Sequence, residues 1–151
     1  MKVPELEFVP ANFSHSEILL AWRNDPQTIA NSISSRVVSP DEHFNWFTRA
    51  LNRADLHIYM ARLPGGELAG TVRLERRDDG WELSWTVAPK FRGQGLGTRM
   101  VEKALRLQAG RILARVKEGN EPSLRIVERV GFRLHDRKDG VLYWWYTRDE
   151  Q

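Results

Sequence analysis

Arg92-Gly93-Gln94-Gly95-Leu96-Gly97 decides how the chain is read. It follows an apolar run, Leu83-Ser84-Trp85-Thr86-Val87, and leads into an amphipathic segment from Thr98 to Ala109. A strand, a glycine-rich turn and a helix in that order build an anion site. Glycine lets the backbone approach a phosphate closely, and the first N–H groups of the helix point at it. Arg92 adds a positive charge. The stretch reads as a pyrophosphate cradle.

Working outward, Leu56–Ala61, Leu68–Arg76 and Trp81–Val87 have strand patterns, separated by Pro64-Gly65-Gly66 and Asp78-Asp79-Gly80. These short, turn-rich connections predict an antiparallel meander. On the other side, Ile112–Val116 reads as a buried strand. Strand, helix and strand in sequence imply a right-handed parallel crossover. Asn120-Glu121-Pro122-Ser123 then opens a helix with Leu124, Ile126, Val127 and Val130 apolar, and Gly131 stands where it should stop. Phe132–Lys138 and Val141–Tyr146 are joined by Asp139-Gly140, a strong hairpin signal.

Toward the N-terminus, Leu6 and Phe8 mark a short first strand. Ser14-His15-Ser16-Glu17 has capping-box form and opens a helix carrying Ile18, Leu19 and Trp22, which ends near Asn24-Asp25-Pro26. Thr28–Asn31 fits one helical turn. Ser39-Pro40-Asp41-Glu42 opens a helix to about Asn52, with Phe44, Phe47, Ala50 and Leu51 at helical spacing. The expected fold is one α+β domain over residues 1–151. Its sheet is mixed, mostly antiparallel and seven-stranded, flanked by about four helices. A Rossmann-like fold is disfavoured, because the glycines follow three antiparallel strands instead of opening the first β-α-β unit.

Hydrophobic residues make up 41% of the 151 and charged residues 28%, a balance that excludes a disordered chain. No apolar run approaches the roughly 18 residues of a membrane span. The opening Met1-Lys2-Val3-Pro4-Glu5 lacks the apolar segment of a signal peptide, so a cytoplasmic protein is expected. Absence of cysteine excludes disulfides, Cys-ligated zinc and a thiol nucleophile. The net charge of +3 is scattered among acids, which argues against a nucleic-acid surface but suits an anionic cofactor.

Arg92, Gly95 and Gly97 match the Arg/Gln-x-x-Gly-x-Gly/Ala signature of the GNAT superfamily of N-acetyltransferases, in the strand-turn-helix context of that family. Asn120-Glu121-Pro122-Ser123-Leu124, closing with Gly131-Phe132, resembles its second motif, and the element order is similar from end to end. The resemblance implies acetyl-CoA as donor, direct transfer to an amine and no metal. It implies that Arg92, Gly93, Gln94, Gly95, Leu96, Gly97 and Thr98 hold the pyrophosphate. The pantetheine arm would lie along Trp85 and Val87, with Asn120 beside it unless Asn120 only caps its helix.

For chemistry, Glu82 is the first candidate base, alternating with Ser84 and Thr86 on the strand that reaches the thioester. The competing reading pairs Glu82 with an arginine on a neighbouring strand. His43 and His57 are lesser candidates. Many family members use a tyrosine four residues before Gly-Phe as general acid; here Val127 stands there. Either Ser123, water, Tyr143 or Tyr146 takes its place, or the acid is dispensable.

Trp22-Arg23-Asn24-Asp25-Pro26 and Ser39-Pro40-Asp41-Glu42-His43-Phe44 resemble a subgroup that acetylates nucleotide-linked amino sugars and shades into the ribosomal-protein N-acetyltransferases. By that resemblance Arg23, Asn24 and His43 face the acceptor, Arg23 meets a phosphate and Trp46 stacks on a base or sugar. Alternatively, Trp22 and Trp46 are core and Arg23 is paired to a carboxylate. The alternative functions are a protein N-terminal or aminoglycoside N-acetyltransferase, or a non-catalytic acyl-CoA-binding module. A monomer or a homodimer is expected, the latter through Trp144 and Trp145 if they are exposed.

Overall fold

A computed structural model describes residues 5–147. Seven strands form one sheet in the order β1-β2-β3-β4-β5-β7-β6. In chain order, β1 is Glu7–Pro10, α1 Ser16–Arg23, α2 Pro26–Asn31, α3 Pro40–Leu51, β2 Leu56–Arg62, β3 Leu68–Arg77 and β4 Gly80–Val87. There follow α4 Leu96–Leu105, β5 Arg111–Lys117, α5 Glu121–Val130, β6 Arg133–Lys138 and β7 Val141–Thr147. Every pairing is antiparallel except β4 with β5, which the α4 crossover makes parallel.

Period-two alternation gives the central strands two different faces. On one face Val72, Leu74 and Leu83 are buried beneath α4, whose Leu96, Met100, Val101 and Ala104 form the main core with them. On the other, Thr71, Arg73 and Glu75 of β3 lie opposite Thr86, Ser84 and Glu82 of β4, a polar floor. The N-terminal helices cover that floor. Trp22 of α1 packs on Met60 and Ala88, and Trp46 of α3 lies over Arg73.

The helices begin where their caps dictate. Asp25 caps α2, Ser39 caps α3 and Asn120 caps α5, each accepting from a first-turn N–H. Three details differ from the sequence expectation. Asn12, not Ser14, makes the capping box, with His15 as its partner, and it opens a 3-10 turn before α1. Glu42 leaves Ser39 to cap alone, because its carboxylate is taken by Arg36. The segment at Thr28 is a full short helix with proline in its first turn, which makes five α-helices among the described residues.

At the far end, Asp139 and Gly140 both adopt positive φ, 52° and 76°, as a tight hairpin turn requires. Trp144 is buried in the core, not exposed, and Trp145 is covered by the Arg111 guanidinium at 3.8 Å. The aromatic surface expected to support a dimer is therefore absent from these two positions.

Candidate active site

Strands β4 and β5 pair only at Trp81–Ile112 and Glu82–Leu113. Beyond that point they splay. Ala88 N donates to Ala69 O at 2.8 Å, which fixes the phase of the β3–β4 ladder. In an antiparallel ladder hydrogen-bonded pairs alternate. Thr86 and Ser84 therefore bond β3, whereas the main-chain groups of Val87 and Trp85 turn toward β5. Because β5 has already diverged, those groups face an open cleft.

The cleft ends at the N-terminus of α4. Gly95 is the N-cap residue, in the left-handed region at φ 79°, and offers no side-chain cap. No acidic residue stands in the first turn. The opening N–H groups of a helix have no intrahelical partner, and here no side chain supplies one. An uncapped, positively polarised terminus beside a cleft suits an anion. Gly93 adopts φ 78°, in open space. Gly97 has a different reason. A Cβ there would lie 2.8 Å from Cδ1 of Ile126 and 3.3 Å from Cγ2 of Val87, so this glycine lets α4 seat against both β4 and α5.

One cavity of about 1250 Å³ joins this end to the polar floor under α1–α3. Pockets for single small ligands run to roughly 1,000 Å³, so there is room for a donor and an acceptor together. Arg23, His43, Trp46, Glu82, Trp85, Val87, Arg92, Gly93, Gly95, Leu96, Gly97, Thr98, Asn120 and Ser123 all line it. Of the residues expected to bind donor or acceptor, Asn24 and Gln94 do not. Asn24 is spent elsewhere: it donates to Val38 O at 2.7 Å and accepts from Val38 N at 2.8 Å, bracing the loop before α3. Gln94 is exposed, and only its main chain lies in the turn.

Glu82 does not stand free as a base would. Its Oε1 accepts from Arg77 Nε at 2.9 Å and its Oε2 from Arg115 Nε at 2.6 Å, with the carboxylate almost buried. The pairing with neighbouring-strand arginines is the arrangement found. His57 lies between Tyr59 and Trp81, away from the cavity. Tyr143 sits across from Arg115, Tyr146 packs on Phe132, and neither lines the cavity. Val127 is fully buried. Ser123 lines the cavity, and its hydroxyl makes no hydrogen bond to a described residue; only its N–H is used, donating to Asn120 at 3.3 Å. Asn120 is thus an N-cap that also faces the cleft.

On the acceptor side His43 is buried, stacked on Phe47 at 5.5 Å, and its Nε2 has no partner. Burial pulls the imidazole below its ordinary range, opposed in part by the Ser16 backbone. Arg23 donates from Nη2 to Ser34 at 2.6 Å, while its buried Nη1 has no partner. Arg73, Arg115 and Thr71 also line the cavity and were missed from sequence. The signal was present: Thr71, Arg73 and Glu75 are polar in the phase that matches Glu82, Ser84 and Thr86. Among the described residues no group of three or more His, Cys, Asp or Glu is placed to hold a metal ion, and no helix is long and apolar enough to cross a membrane.

Comparison with known proteins agrees with this geometry. Residues 5–133 match the family described as Acetyltransferase (GNAT) domain. Among solved structures, spermidine N-acetyltransferase from Vibrio cholerae, in complex with CoA and spermine, superposes with a TM-score of 0.82 at 15% identity, covering 93% of this chain and 94% of that one. An acetyltransferase from Thermus thermophilus gives 0.81 at 17% identity, covering 97% and 99%. The yncA protein of Salmonella typhimurium, solved with its cofactor acetyl-CoA, gives 0.75 at 16% identity, covering 97% and 96%. No curated protein sequence matches the chain.

Proposed function

The chain belongs to the GNAT acetyltransferases, and on that footing we propose that it carries the acetyl group of acetyl-CoA directly to a primary amine, with a nucleotide-linked amino sugar as acceptor. It is an acyltransferase, and acetyl-CoA is its donor, as in the rest of the family. The observation that carries the reading is the conjunction at the end of β4. There the free main-chain groups of Trp85 and Val87 lead to an uncapped helix N-terminus.

Bound acetyl-CoA supplies an activated acyl group. The main-chain N–H groups from Gln94 to Thr98 hold its pyrophosphate. Trp85 and Val87 bond the pantetheine arm, and Asn120 flanks it. Val87 N–H donates to the carbonyl oxygen as charge builds there. An alkyl amine, with a pKa of roughly 10, sheds one proton to water before it attacks and a second to water as the amide forms. As the new C–N bond forms and the C–S bond breaks, Ser123 gives its proton to the departing sulfur and is reprotonated from solvent. Glu82 anchors Arg115 and Arg77 in this scheme and is not assigned as the base. On the acceptor side Arg23 meets the phosphate and Trp46 stacks on the base or sugar, with His43 in the wall.

One observation favours a second reading, a non-catalytic acyl-CoA-binding module: the residue in the usual acid position, Val127, is buried and apolar. Thiol release from acetyl-CoA, followed against a panel of amines, separates the two. Steady release with at least one amine is expected, with Ser123→Ala lowering kcat by about 100-fold at unchanged KM for acetyl-CoA. Tight CoA binding without turnover on any amine would leave only the module.

A further inference from the structure

Arg73 is a charge that the fold leaves without a protein partner among the described residues. It projects from the polar face of β3 into the cavity and makes no hydrogen bond or ion pair with any described residue. The carboxylates nearest in its field are already taken. Glu75 is bound by Arg53 and Arg77, and Glu82 by Arg77 and Arg115. Trp46 covers the Arg73 guanidinium at 5.3 Å, which shields it further from water. Its burial pulls the guanidinium below its ordinary range. Glu75 and Glu82 oppose the shift; Arg115 and Arg77 add to it. Arg73 is thus half-buried, with no protein partner and facing an open cavity, a placement that suits an anionic group of a ligand.

The donor does not account for this charge. Arg73 is paired with Ser84, three residues before Val87 along β4, a separation of roughly 10 Å. It also lies on the face of the sheet opposite α4. Arg23 shares its situation. Nη1 is buried without a partner, and the nearby Glu42 is bound by Arg36. Both arginines line the half of the cavity beneath α1–α3, where the acceptor must lie.

Resting on the transferase reading above, we propose that Arg73, with Arg23, forms an oxyanion subsite for the acceptor, so that the amine acetylated here carries a carboxylate or phosphate within roughly 10 Å of its nitrogen. The geometry selects against polyamines, whose second and third charges would face two uncompensated guanidiniums. Arg73 acts on binding and orientation, not on the proton transfers.

The test uses the full chain saturated with CoA for binding and with acetyl-CoA for turnover. Matched pairs serve as probes: an aminoalkylphosphonate against the corresponding amino alcohol, an amino-sugar phosphate against the free amino sugar, glutamate against glutamine, and spermidine. Calorimetry is expected to show the anionic member of at least one pair bound about tenfold to a hundredfold tighter. The phosphate and carboxylate arms tell which oxyanion is meant. Arg73→Gln is expected to erase that preference while CoA affinity stays as in the parent chain, which also verifies folding. Arg73→Lys is expected to restore part of it. In turnover, Arg73→Gln raises KM for the anionic amine and leaves that of its neutral partner unchanged. Equal binding and turnover of charged and neutral partners, or a preference for spermidine, overturns the subsite and leaves the transferase standing. Arg73-dependent binding of an anionic amine with no thiol release on any amine overturns the transferase and leaves the subsite.

Discussion

Arg92 and Asp25 form an ion pair that ties the glycine-rich turn to the N-terminus of α2. The same carboxylate accepts from Thr28 N at 3.1 Å, and Arg92 donates also to Thr28 Oγ1 at 3.0 Å. One side chain therefore caps a helix of the acceptor side and holds the arginine of the donor loop. The charge of Arg92, read from sequence as a contribution to the phosphate site, is answered inside the protein. The pair fixes the turn against the N-terminal helices.

Asp25→Asn keeps a side chain able to cap α2 and removes the charge. It is expected to lower stability by about 1 kcal/mol and to raise KM for acetyl-CoA several-fold. The pH dependence is more diagnostic. The Arg92 hydrogen bond holds the Asp25 carboxyl below its ordinary value; burial opposes this, and the Thr28 N–H reinforces it. The unfolded chain then binds a proton that the folded chain does not. This stabilisation is complete above the ordinary carboxylate range and is lost as pH falls through the depressed folded value. Thermal melts taken from neutral to acid should be flatter for Asp25→Asn than for the parent, and parallel curves would refute the brace.

Gly95 and Gly97 belong to one motif but should fail in different ways. Gly97→Ala forces a Cβ against Ile126 and Val87. We expect a stability loss of about 1–3 kcal/mol with CoA affinity changed little. Gly95→Trp places a large side chain at the uncapped helix end and should weaken CoA binding by about 100-fold or more, beyond a backbone strain of about 1–2 kcal/mol. Calorimetric CoA titration beside melting temperature separates the two, and unchanged affinity in Gly95→Trp would sink the cradle.

Local signals made the fold legible. Turn residues, alternation and two helix starts at Ser39 and Asn120 all agree with the structure, since caps and turns act within a few residues of themselves. The donor end was legible for the same reason: turn, strand end and helix start are contiguous in the chain. The acceptor end was legible in part: Arg23, His43 and Trp46 line the cavity, but the side-chain pairings around the site were not legible. Asn24 is consumed by Val38, fourteen residues away, Glu82 by arginines on β3 and β5, and Arg92 by Asp25. Pairing across such separations depends on register and helix placement, which no spacing rule encodes. Arg73 shares its polar phase with Thr71 and Glu75, but a polar strand face reads as solvated until helices cover it.

Glu82→Gln separates a structural anchor from a general base. With both oxygens bound to guanidiniums, the substitution should lower stability by about 2 kcal/mol and loosen Arg115, an effect larger than for exposed pairs. The shape of the pH profile of kcat/KM should stay as in the parent chain. Displacement of its acidic limb in Glu82→Gln would restore the carboxylate as general base.

His43 offers a second pH signature, in a different range and on the acceptor wall. The ring is stacked on Phe47, with Trp46 at 6.2 Å, and Nε2 has no partner. Burial holds the imidazole below its ordinary value of 6.5, with the Ser16 backbone opposing. The unfolded chain takes up a proton first as pH falls. The stabilisation from a neutral His43 is complete above the ordinary histidine value and declines as pH drops through the lowered folded one. His43→Gln should therefore flatten the melting temperature between neutral pH and the carboxylate range. His15 shifts in the same direction through its own burial, so His15→Gln is the control that apportions the slope. Because His43 lines the acceptor half of the cavity, its protonation adds a cation and an unfilled donor beside Arg23 and Trp46. The KM for the acceptor should change over the same interval in the parent chain and not in His43→Gln, while KM for acetyl-CoA holds steady in both. An acceptor KM with identical pH dependence in the two chains would remove His43 from the acceptor wall and leave it a packing residue.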